Sequence, residues 1–252
     1  MIRSKKLSTI KGVRHGFFNK IGGASSGIYK SLNCGPRSLD LNKNVLKNLD
    51  IVRKKINPKS KKIILTNQLH SNKIHFIKKE KLVKKKLNGD ALITSLKNIQ
   101  IGVLTADCVP ILLCDKKKYV VAAIHAGWKG AYKGIINKVI KSMIKKGSDP
   151  NNIIAAIGPC ISSKNYEVKN DFRKRFIKKE KNNIKFFKKV NNKIYFSLNK
   201  YIYSELKKLK INNIETIHKD TFDIKNNFFS ARRSISRNEN DYGRNISIIM
   251  IN

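Results

Sequence analysis

Apolar residues along this chain form short continuous runs, and turn residues separate one run from the next. Runs of this length that are rich in branched side chains are typical of buried strands. They predict strands at residues 99–104, 111–114, 119–124, 153–157, 214–217 and 246–251. We therefore expect a sheet that lies inside the protein as one layer among several.

Other segments repeat their apolar residues at helical spacing. Apolar positions 135, 136, 139, 140, 143 and 144 would share one face, which predicts a helix over residues 130–146 that is capped by Gly147. A second helix is predicted over 197–209, with Ser197 as its N-cap. Residues 170–192 are charged and low in complexity, and we expect a helix with an exposed loop there.

The mixture of both kinds of element indicates an α/β (α+β) fold, a layered α/β sandwich with a mixed β-sheet. With 252 residues, the chain can bury a sizeable core, and we expect a single domain over residues 1–252. The sequence has no apolar span of membrane length, and no apolar segment follows the basic residues 1–6 as in a secretory signal. We therefore expect a cytoplasmic protein without a membrane partner.

The chain has four cysteines, Cys34, Cys108, Cys114 and Cys160. In a cytosolic chain of this size, metal binding, catalysis or burial explain cysteines better than disulfides do. Cys114 ends an apolar run, so we expect it to be a small core residue.

The formal net charge is +39, from 55 Lys and Arg residues against 16 Asp and Glu residues. A nucleic-acid-binding protein would concentrate this charge in a patch interleaved with aromatic residues. Here lysine runs such as 116–118 are spread over the whole length, and asparagine and isoleucine are abundant beside them. We interpret the charge as a solvated basic surface and expect no specific nucleic-acid partner. A non-enzymatic nucleic-acid-binding protein is kept as an alternative.

Three apolar runs end close to a side chain that can bind a soft metal ion: His70, Cys108 in 105–110 (Thr-Ala-Asp-Cys-Val-Pro) and His125 in 125–130 (His-Ala-Gly-Trp-Lys-Gly). Two histidines and one cysteine suit Zn²⁺, and three protein ligands leave a fourth position for water or substrate, as in catalytic sites. The spacing alone is a weak signal. The alternative is a buried cysteine with two histidines in structural roles.

Two histidines and a cysteine also resemble a blue-copper ligand set. A multicopper oxidase of the usual kind needs a further copper cluster rich in histidine, however. This chain has five histidines, of which two, His70 and His125, belong to the first group. We therefore reject a true laccase.

Several motifs occur together and in the same order as in a known family. They are 15–18 (His-Gly-Phe-Phe), 22–23, 31–33, 68–71 (Gln-Leu-His-Ser), 89–94, 105–112, 125–130, 157–161 (Ile-Gly-Pro-Cys-Ile), 166–168, 228–233 (Phe-Phe-Ser-Ala-Arg-Arg) and 243–244. Together they resemble the YfiH/laccase-domain family, also called the polyphenol oxidase or peptidoglycan-editing-factor group. The resemblance covers essentially the whole chain.

The resemblance implies a zinc site at His70, Cys108 and His125, with purine-nucleoside chemistry around it. Members of the family look like purine nucleoside phosphorylases acting on adenosine, inosine and S-methyl-5′-thioadenosine, with adenosine deaminase as a side activity. Phosphorolysis needs cationic donors for phosphate, and arginine is the better bidentate partner. The candidate substrate and phosphate ligands are Arg232, Arg233, Arg244, Lys129, Lys20 and Asn33.

The chain also departs from the family pattern. Lys129 and Lys20 stand where the family usually has arginine, which keeps the charge but loses the planar fork. Residues 220–221 (Asp-Thr) stand where many members have Cys-Thr. The implied substrates are a purine nucleoside and phosphate, and we expect a monomer.

The roles of Asp107 and Cys160 are left open at this point, and so is one alternative function. Asp107 is a candidate acid or base, a support for a metal ligand, or a structural cap of its turn. Cys160 is a candidate pocket residue or nucleophile, with burial as the alternative. If Cys108 or Cys160 were a nucleophile, the chain could instead be a cysteine or zinc amidohydrolase that edits peptidoglycan precursors, as the family's other name suggests.

Overall fold

The computed structural model describes residues 1–78 and 87–252. In chain order its strands are β1 (Val13–Phe17), β2 (Ile63–Ile64), β3 (Ile74–Ile77), β4 (Ala91–Thr94), β5 (Gln100–Thr105), β6 (Val109–Asp115), β7 (Val120–Ala126), β8 (Ile153–Ile157), β9 (Glu167–Val168), β10 (Phe187–Val190), β11 (Lys193–Phe196), β12 (Asn213–Thr216) and β13 (Asn245–Ile251). The helices are α1 (Lys5–Ser8), α2 (Asn42–Ile56), α3 (Trp128–Tyr132), α4 (Ile135–Ile144), α5 (Asn170–Lys179), α6 (Leu198–Lys208) and α7 (Ala231–Ser236).

Two mixed sheets form the centre of the molecule. The larger has the strand order β12-β8-β6-β7-β4-β3, in which the outer pairs are parallel and the inner pairs antiparallel. The smaller has the order β1-β13-β5-β2, and only the β2–β5 pair is parallel. A small antiparallel sheet of β10, β11 and β9 is hydrogen-bonded to neither.

Alternating side chains along the strands build separate cores on the two faces of each sheet. Ile249 and Ile251 of β13 join Leu112 of β6 in a core shared by both large sheets. Ile248 and Met250 instead pack with α2, on the other face of the smaller sheet.

The outer face of the larger sheet is covered by helices. Ile111 and Leu113 of β6 pack there with α4 and α6, through residues such as Val139 and Ile202. The layer order is therefore helix, sheet, sheet, helix. The predicted layered α/β sandwich with a mixed sheet is confirmed, and burial on both faces explains why the strands are continuous apolar runs.

Two of the predicted elements need correction. The helix predicted over 130–146 is split into α3 and α4, because Gly134 between them has φ = +79°, a left-handed conformation that glycine adopts at little cost. The segment 170–192 holds α5 but also strand β10, whose Phe-Lys-Lys-Val sequence is mostly exposed and carries little apolar signal.

The two predicted helix caps also differ in detail. Gly147 ends the α4 region as expected, with φ = +87° and its N–H donating to Ile144. Ser197 occupies the N-cap position of α6, but its hydroxyl donates to Asn199 Oδ1 and makes no capping hydrogen bond. Within the described ranges, no helix is both long and apolar enough to span a membrane.

Candidate metal centre and its pocket

The larger sheet brings Cys108 and His125 together at one of its ends. Cys108 immediately precedes β6, and His125 is the next-to-last residue of β7. The antiparallel register pairs Val109 with Ala126, so the two side chains emerge side by side. His70 reaches the same place from the loop between β2 and β3. The ligand atoms of the three residues lie within 4.8 Å of one another.

The three side chains differ in exposure. His125 is buried, Cys108 is partly buried, and His70 is exposed. Cys108 Sγ lies 3.8 Å from His70 Nε2, and the two imidazole rings stand nearly perpendicular with their centroids 4.8 Å apart. The group is thus open to solvent on the side of His70.

The carboxylate of Asp90 holds two of these residues in position. His125 Nδ1 lies 2.8 Å from Asp90 Oδ1, so His125 Nε2 is left to face the other ligands. The backbone N–H groups of His70 and Ser71 also donate to Asp90, at 2.9 and 2.6 Å. A carboxylate that binds the far nitrogen of a ligand histidine fixes the orientation of its ring.

Sequence reasoning gave Asp90 no role, although it lies in the 89–94 motif of the family resemblance. Burial acts to raise the pKa of Asp90, which has no exposed surface. Hydrogen bonds from His125 and Ser71 nevertheless hold the pKa at about 2. The carboxylate therefore stays ionised at neutral pH. The signal that could have found it is an acidic residue directly before the β4 strand.

Gly127 makes the close approach of the ligands possible. A Cβ atom at this position would lie 2.8 Å from His70 Cδ2 and 3.0 Å from Cys108 Sγ, both below ordinary contact distance. Any larger residue would push these two side chains away. Gly127 is therefore part of the site, and not only a turn residue.

The electrostatics of the group suit a metal ion. Burial acts to raise the pKa of the Cys108 thiol, but the adjacent His125 and His70 lower it to about 6. Burial acts to lower the pKa of His125, but Cys108 and Asp90 raise it to about 9. A thiolate is the form of cysteine that binds metals. One sulfur and two imidazole nitrogens converging in this way fit Zn²⁺.

The three residues open into a cavity of about 700 Å³. Ligand sites for small molecules typically have ~300–1,000 Å³ and combine apolar walls with a few polar groups. This cavity is lined by both apolar and polar residues. The other lining residues are Gly35, Pro36, Arg37, Leu65, Thr66, Asn67, Gln68, Leu87, Leu104, Thr105, Ala106, Tyr242 and Arg244.

Of the predicted phosphate ligands, only Arg244 lines this cavity. Arg232 lines a neighbouring cleft with Tyr166, over whose ring its guanidinium lies 5.5 Å from the centroid. Lys129 is exposed, with its ammonium 5.7 Å from the Trp128 ring centroid. Neither Arg232 nor Lys129 borders the metal cavity.

Lys20 and Arg233 lie together in a different cavity. The Arg233 guanidinium donates to the backbone carbonyls of Thr221, Phe222 and Phe228, at 2.8, 2.8 and 2.6 Å. Arg233 therefore ties loops together. Its placement does not support the prediction that it binds phosphate beside the metal, and the same holds for Lys20.

Asn33 is buried and its amide is fully engaged within the protein. Its Oδ1 accepts from the N–H groups of Gly35 and Arg244, and its Nδ2 donates to Ser38 and Asp40. All donors and acceptors of this amide are thus used within the protein, and Asn33 helps to position the backbone of Arg244.

The contacts of Asp107 fit the structural role among those left open. Its carboxylate accepts from Thr221 Oγ1 at 2.7 Å and from the backbone N–H of Arg232, in the first turn of α7, at 2.7 Å. Burial raises its pKa. With φ = +85°, Asp107 also turns the chain directly before Cys108. It anchors α7 to the loop of the metal centre.

Cys160 is a buried core residue, 6% exposed, that packs in the cluster between the larger sheet and its helices. Burial raises the pKa of its thiol well above the ordinary range. A neutral, buried thiol is a poor nucleophile. We therefore do not retain Cys160 as a catalytic candidate.

Comparisons with known proteins show the family to which this chain belongs. The model of the family described as "Multi-copper polyphenol oxidoreductase laccase" matches residues 14–252. A protein named purine nucleoside phosphorylase from Rickettsia conorii is 34% identical over 190 residues, which are 75% of this chain and 77% of that protein. A protein of the same name from Bacteroides thetaiotaomicron is 32% identical over 186 residues, 71% of this chain and 69% of that protein.

Solved structures give the same result for the fold. The crystal structure of the Bacillus licheniformis hypothetical protein YfiH has a TM-score of 0.88 and 28% identity, and the match covers 95% of this chain and 93% of that chain. Neisseria meningitidis protein NMB0706 has a TM-score of 0.86 and 27% identity, covering 96% and 95%.

Proposed function

Since this chain belongs to the family described as multi-copper polyphenol oxidoreductase laccase, and its relatives are named purine nucleoside phosphorylases, we propose that it is a zinc-dependent purine nucleoside phosphorylase. The observation that carries the proposal is one cavity that joins a His-Cys-His metal group to Arg244. A metal and a guanidinium in one small-molecule cavity suit a reaction between a nucleoside and an oxyanion.

The family description mentions several copper ions, but the part of the chain that the structure describes holds one candidate metal group. Within residues 1–78 and 87–252, His70, Cys108 and His125 are the one group of three or more possible metal ligands. His15, for example, accepts a hydrogen bond from the backbone N–H of Ser4, and His75 contacts the carbonyl of Asn88. The rejection of a true laccase continues to rest on the five histidines of the sequence.

We propose adenosine, inosine and S-methyl-5′-thioadenosine as the nucleoside substrates. In phosphorolysis, a phosphate oxygen forms a bond to C1′ of the sugar while the bond from C1′ to the purine nitrogen breaks. The electron pair of that bond goes to the purine, which then takes up a proton. The products are the sugar 1-phosphate and the free base.

The residues of the cavity have separate parts in this scheme. His70, Cys108 and His125 would hold the Zn²⁺, which would supply a Lewis acid next to the bound substrate. Asp90 keeps His125 and the His70 loop in place, and Gly127 lets the ligands approach. Arg244 would bind phosphate and offset its charge.

Adenosine deamination is proposed as a side activity of the same cavity. There the oxygen of water would add to the purine carbon that carries the amino group, and the amino group would leave as ammonia after taking up a proton. The reaction uses water in place of phosphate as the second reactant. It therefore does not require the phosphate-binding part of the cavity.

The test is incubation of zinc-loaded protein with adenosine or inosine, with and without phosphate, followed by chromatography. We expect adenine from adenosine and hypoxanthine from inosine, in both cases dependent on phosphate. Inosine formed from adenosine without phosphate would report the side activity. If no free base appears from either nucleoside, the proposed function is wrong.

In its cysteine form, the alternative amidohydrolase needs a nucleophile, and Cys108 is the candidate that remains. Its contacts with His70 and His125 would serve a nucleophile as well as a metal ligand. The two interpretations differ in their response to zinc. A phosphorylase gains activity when zinc is restored to the metal-free protein, whereas a cysteine nucleophile loses activity when zinc covers its sulfur.

A further inference from the structure

Arg37 lies in the wall of the metal cavity close to Arg244, and no sequence pattern marked it. The loop of Arg37 follows the backbone of Arg244: Cys34 N donates to the Arg244 carbonyl, and Arg244 N donates to Asn33 Oδ1. A Cβ atom on Gly35 would lie 2.5 Å from Arg244 Cδ, so the Arg244 side chain passes directly over that glycine. Two arginines, of which Arg37 is exposed, thus line one cavity from adjacent stretches of backbone.

Both guanidinium groups keep free donors. Arg37 Nη1 donates to Asn67 Oδ1, and its Nε and Nη2 have no hydrogen-bond partner among residues 1–78 and 87–252. Arg244 Nη1 donates to Asp241 and to the carbonyl of Tyr242, while its Nε and Nη2 are likewise without a partner in the described chain. Each side chain is therefore anchored through one nitrogen and can bind a ligand through the others.

Negative charge is scarce around these donors. The described residues that line the cavity include no aspartate or glutamate. Asp241 pairs with Arg244 from outside the cavity lining, at 2.9 Å, and Arg37 forms no ion pair with a described carboxylate. The two cations therefore leave an excess of positive charge at the cavity wall, which an anion would neutralise.

An unpartnered hydroxyl lies in the same wall. Thr66 is 7% exposed and lines the cavity, and its Oγ1 has no hydrogen-bond partner within the described ranges. Buried polar atoms nearly always have a partner, whether protein, water or ligand. The Thr66 hydroxyl itself is buried behind the cavity surface, so the polar groups available to an occupant on this side are those of Arg37 and Arg244.

We propose that Arg37 binds phosphate together with Arg244, and that it is the specificity residue that favours phosphate over water as the second reactant. This inference rests on the proposed function. Planar guanidinium groups bind phosphate oxygens through paired N–H donors, and two of them can hold a tetrahedral anion from two sides. Water carries no charge and gains little from the same pair.

The first test is direct binding of orthophosphate, measured by titration calorimetry at fixed ionic strength with both metal-free and zinc-loaded protein. Arg37→Ala is expected to raise the dissociation constant about 10- to 100-fold, the effect of losing charge-assisted hydrogen bonds. Arg37→Lys should have a smaller effect, since it keeps the charge. The control is Lys138→Ala, which removes an equal charge from the exposed side of α4 and should change the constant less than twofold.

The second test is kinetic. In Arg37→Ala, KM for phosphate should rise by a similar factor, while conversion of adenosine to inosine without phosphate should stay within twofold of the unmodified protein. Loss of both reactions together would indicate a merely structural role for Arg37 and overturn the proposal. So would a variant that binds phosphate as tightly as the unmodified protein, or an unmodified protein that binds none.

The two proposals fail in different ways. If phosphate binds through Arg37 but no base is ever released, the proposed function is wrong and the phosphate site stands. If base release depends on phosphate with an unchanged KM in Arg37→Ala, the function stands and the assignment of Arg37 is wrong.

Discussion

His125 Nδ1 lies 2.8 Å from Oδ1 of Asp90, and both side chains are buried. The same carboxylate accepts from the backbone of His70 and Ser71. One residue therefore connects the strand that carries His125 with the loop that carries His70. The position of the metal group depends on a residue that contributes no ligand atom.

Replacing Asp90 should weaken metal binding without removing a ligand. Asp90→Asn keeps the size of the side chain but loses the charge and one acceptor, so we expect zinc affinity to fall ~10- to 100-fold. Competition with a chromophoric chelator measures the affinity. Asp171→Asn, at an exposed acidic residue of α5, is the control. An unchanged zinc dissociation constant in Asp90→Asn would contradict the role given to this carboxylate.

Gly127→Ala should disrupt the metal group by crowding it. The added methyl group would meet His70 and Cys108 at 2.8 and 3.0 Å, so one of them must move. We expect zinc content after dialysis to drop to well below one ion per chain, as measured by elemental analysis. Lys133→Ala, at an exposed position just after α3, should keep its zinc. A fully loaded Gly127→Ala variant would show that the ligands have room to spare.

Gly134 allows a test of the break between α3 and α4. A Cβ atom there meets nothing within 4 Å, so a substitution is costly only through φ = +79°. Gly134→Ala should lower the free energy of unfolding by ~1–2 kcal/mol, and Gly134→Asn by less, because asparagine adopts left-handed conformations more readily. Urea denaturation measures both. A Gly134→Ala variant that is more stable than the unmodified protein would mean that the helix is continuous in solution, because alanine is favoured over glycine inside a helix.

His15 should make the protein less stable in mild acid. Burial and the nearby Arg3 lower its pKa to about 4, whereas the unfolded chain has the ordinary value near 6.5. Between these values the unfolded state binds more protons, so the free energy of unfolding decreases as pH falls from 6.5 to 4, by about 3 kcal/mol in total.

The measurement is urea denaturation at pH 7 and pH 4.5 for the unmodified protein and for His15→Gln. The glutamine variant lacks the titrating ring, so its stability should change less between the two pH values. In the unmodified protein, the Ser4 N–H donates to His15 Nε2 at 2.9 Å. The side-chain carbonyl oxygen of glutamine can still accept this hydrogen bond. The same pH dependence in both proteins would exclude His15 as the cause.

The layers of the fold could be predicted because a strand that is buried on both faces appears in the sequence as a continuous apolar run. The run 111–114 became part of β6, whose side chains alternate between two cores. The break at Gly134 could not be seen, since glycine is also tolerated inside helices. Strand β10 was missed because its exposed side chains carry no apolar pattern. A single domain over 1–252 stays a prediction.

The ligand positions could be predicted because each follows an apolar run, but only the family resemblance joined the three. The other polar residues were harder to place, since a charged side chain in the sequence does not reveal its partner. Arg233 turned out to bind three carbonyls, and Asn33 to hold the backbone of Arg244. Arg37 was missed because it lies in an irregular loop.

The measurement that tests the central claim most directly is release of free base from inosine by the metal-free protein, before and after addition of zinc, with phosphate present. We expect no release without metal, release of hypoxanthine and ribose 1-phosphate when one zinc ion per chain is restored, and no release by Cys108→Ala under either condition. Hypoxanthine release that is independent of zinc, or its absence from the fully zinc-loaded protein, would contradict the account.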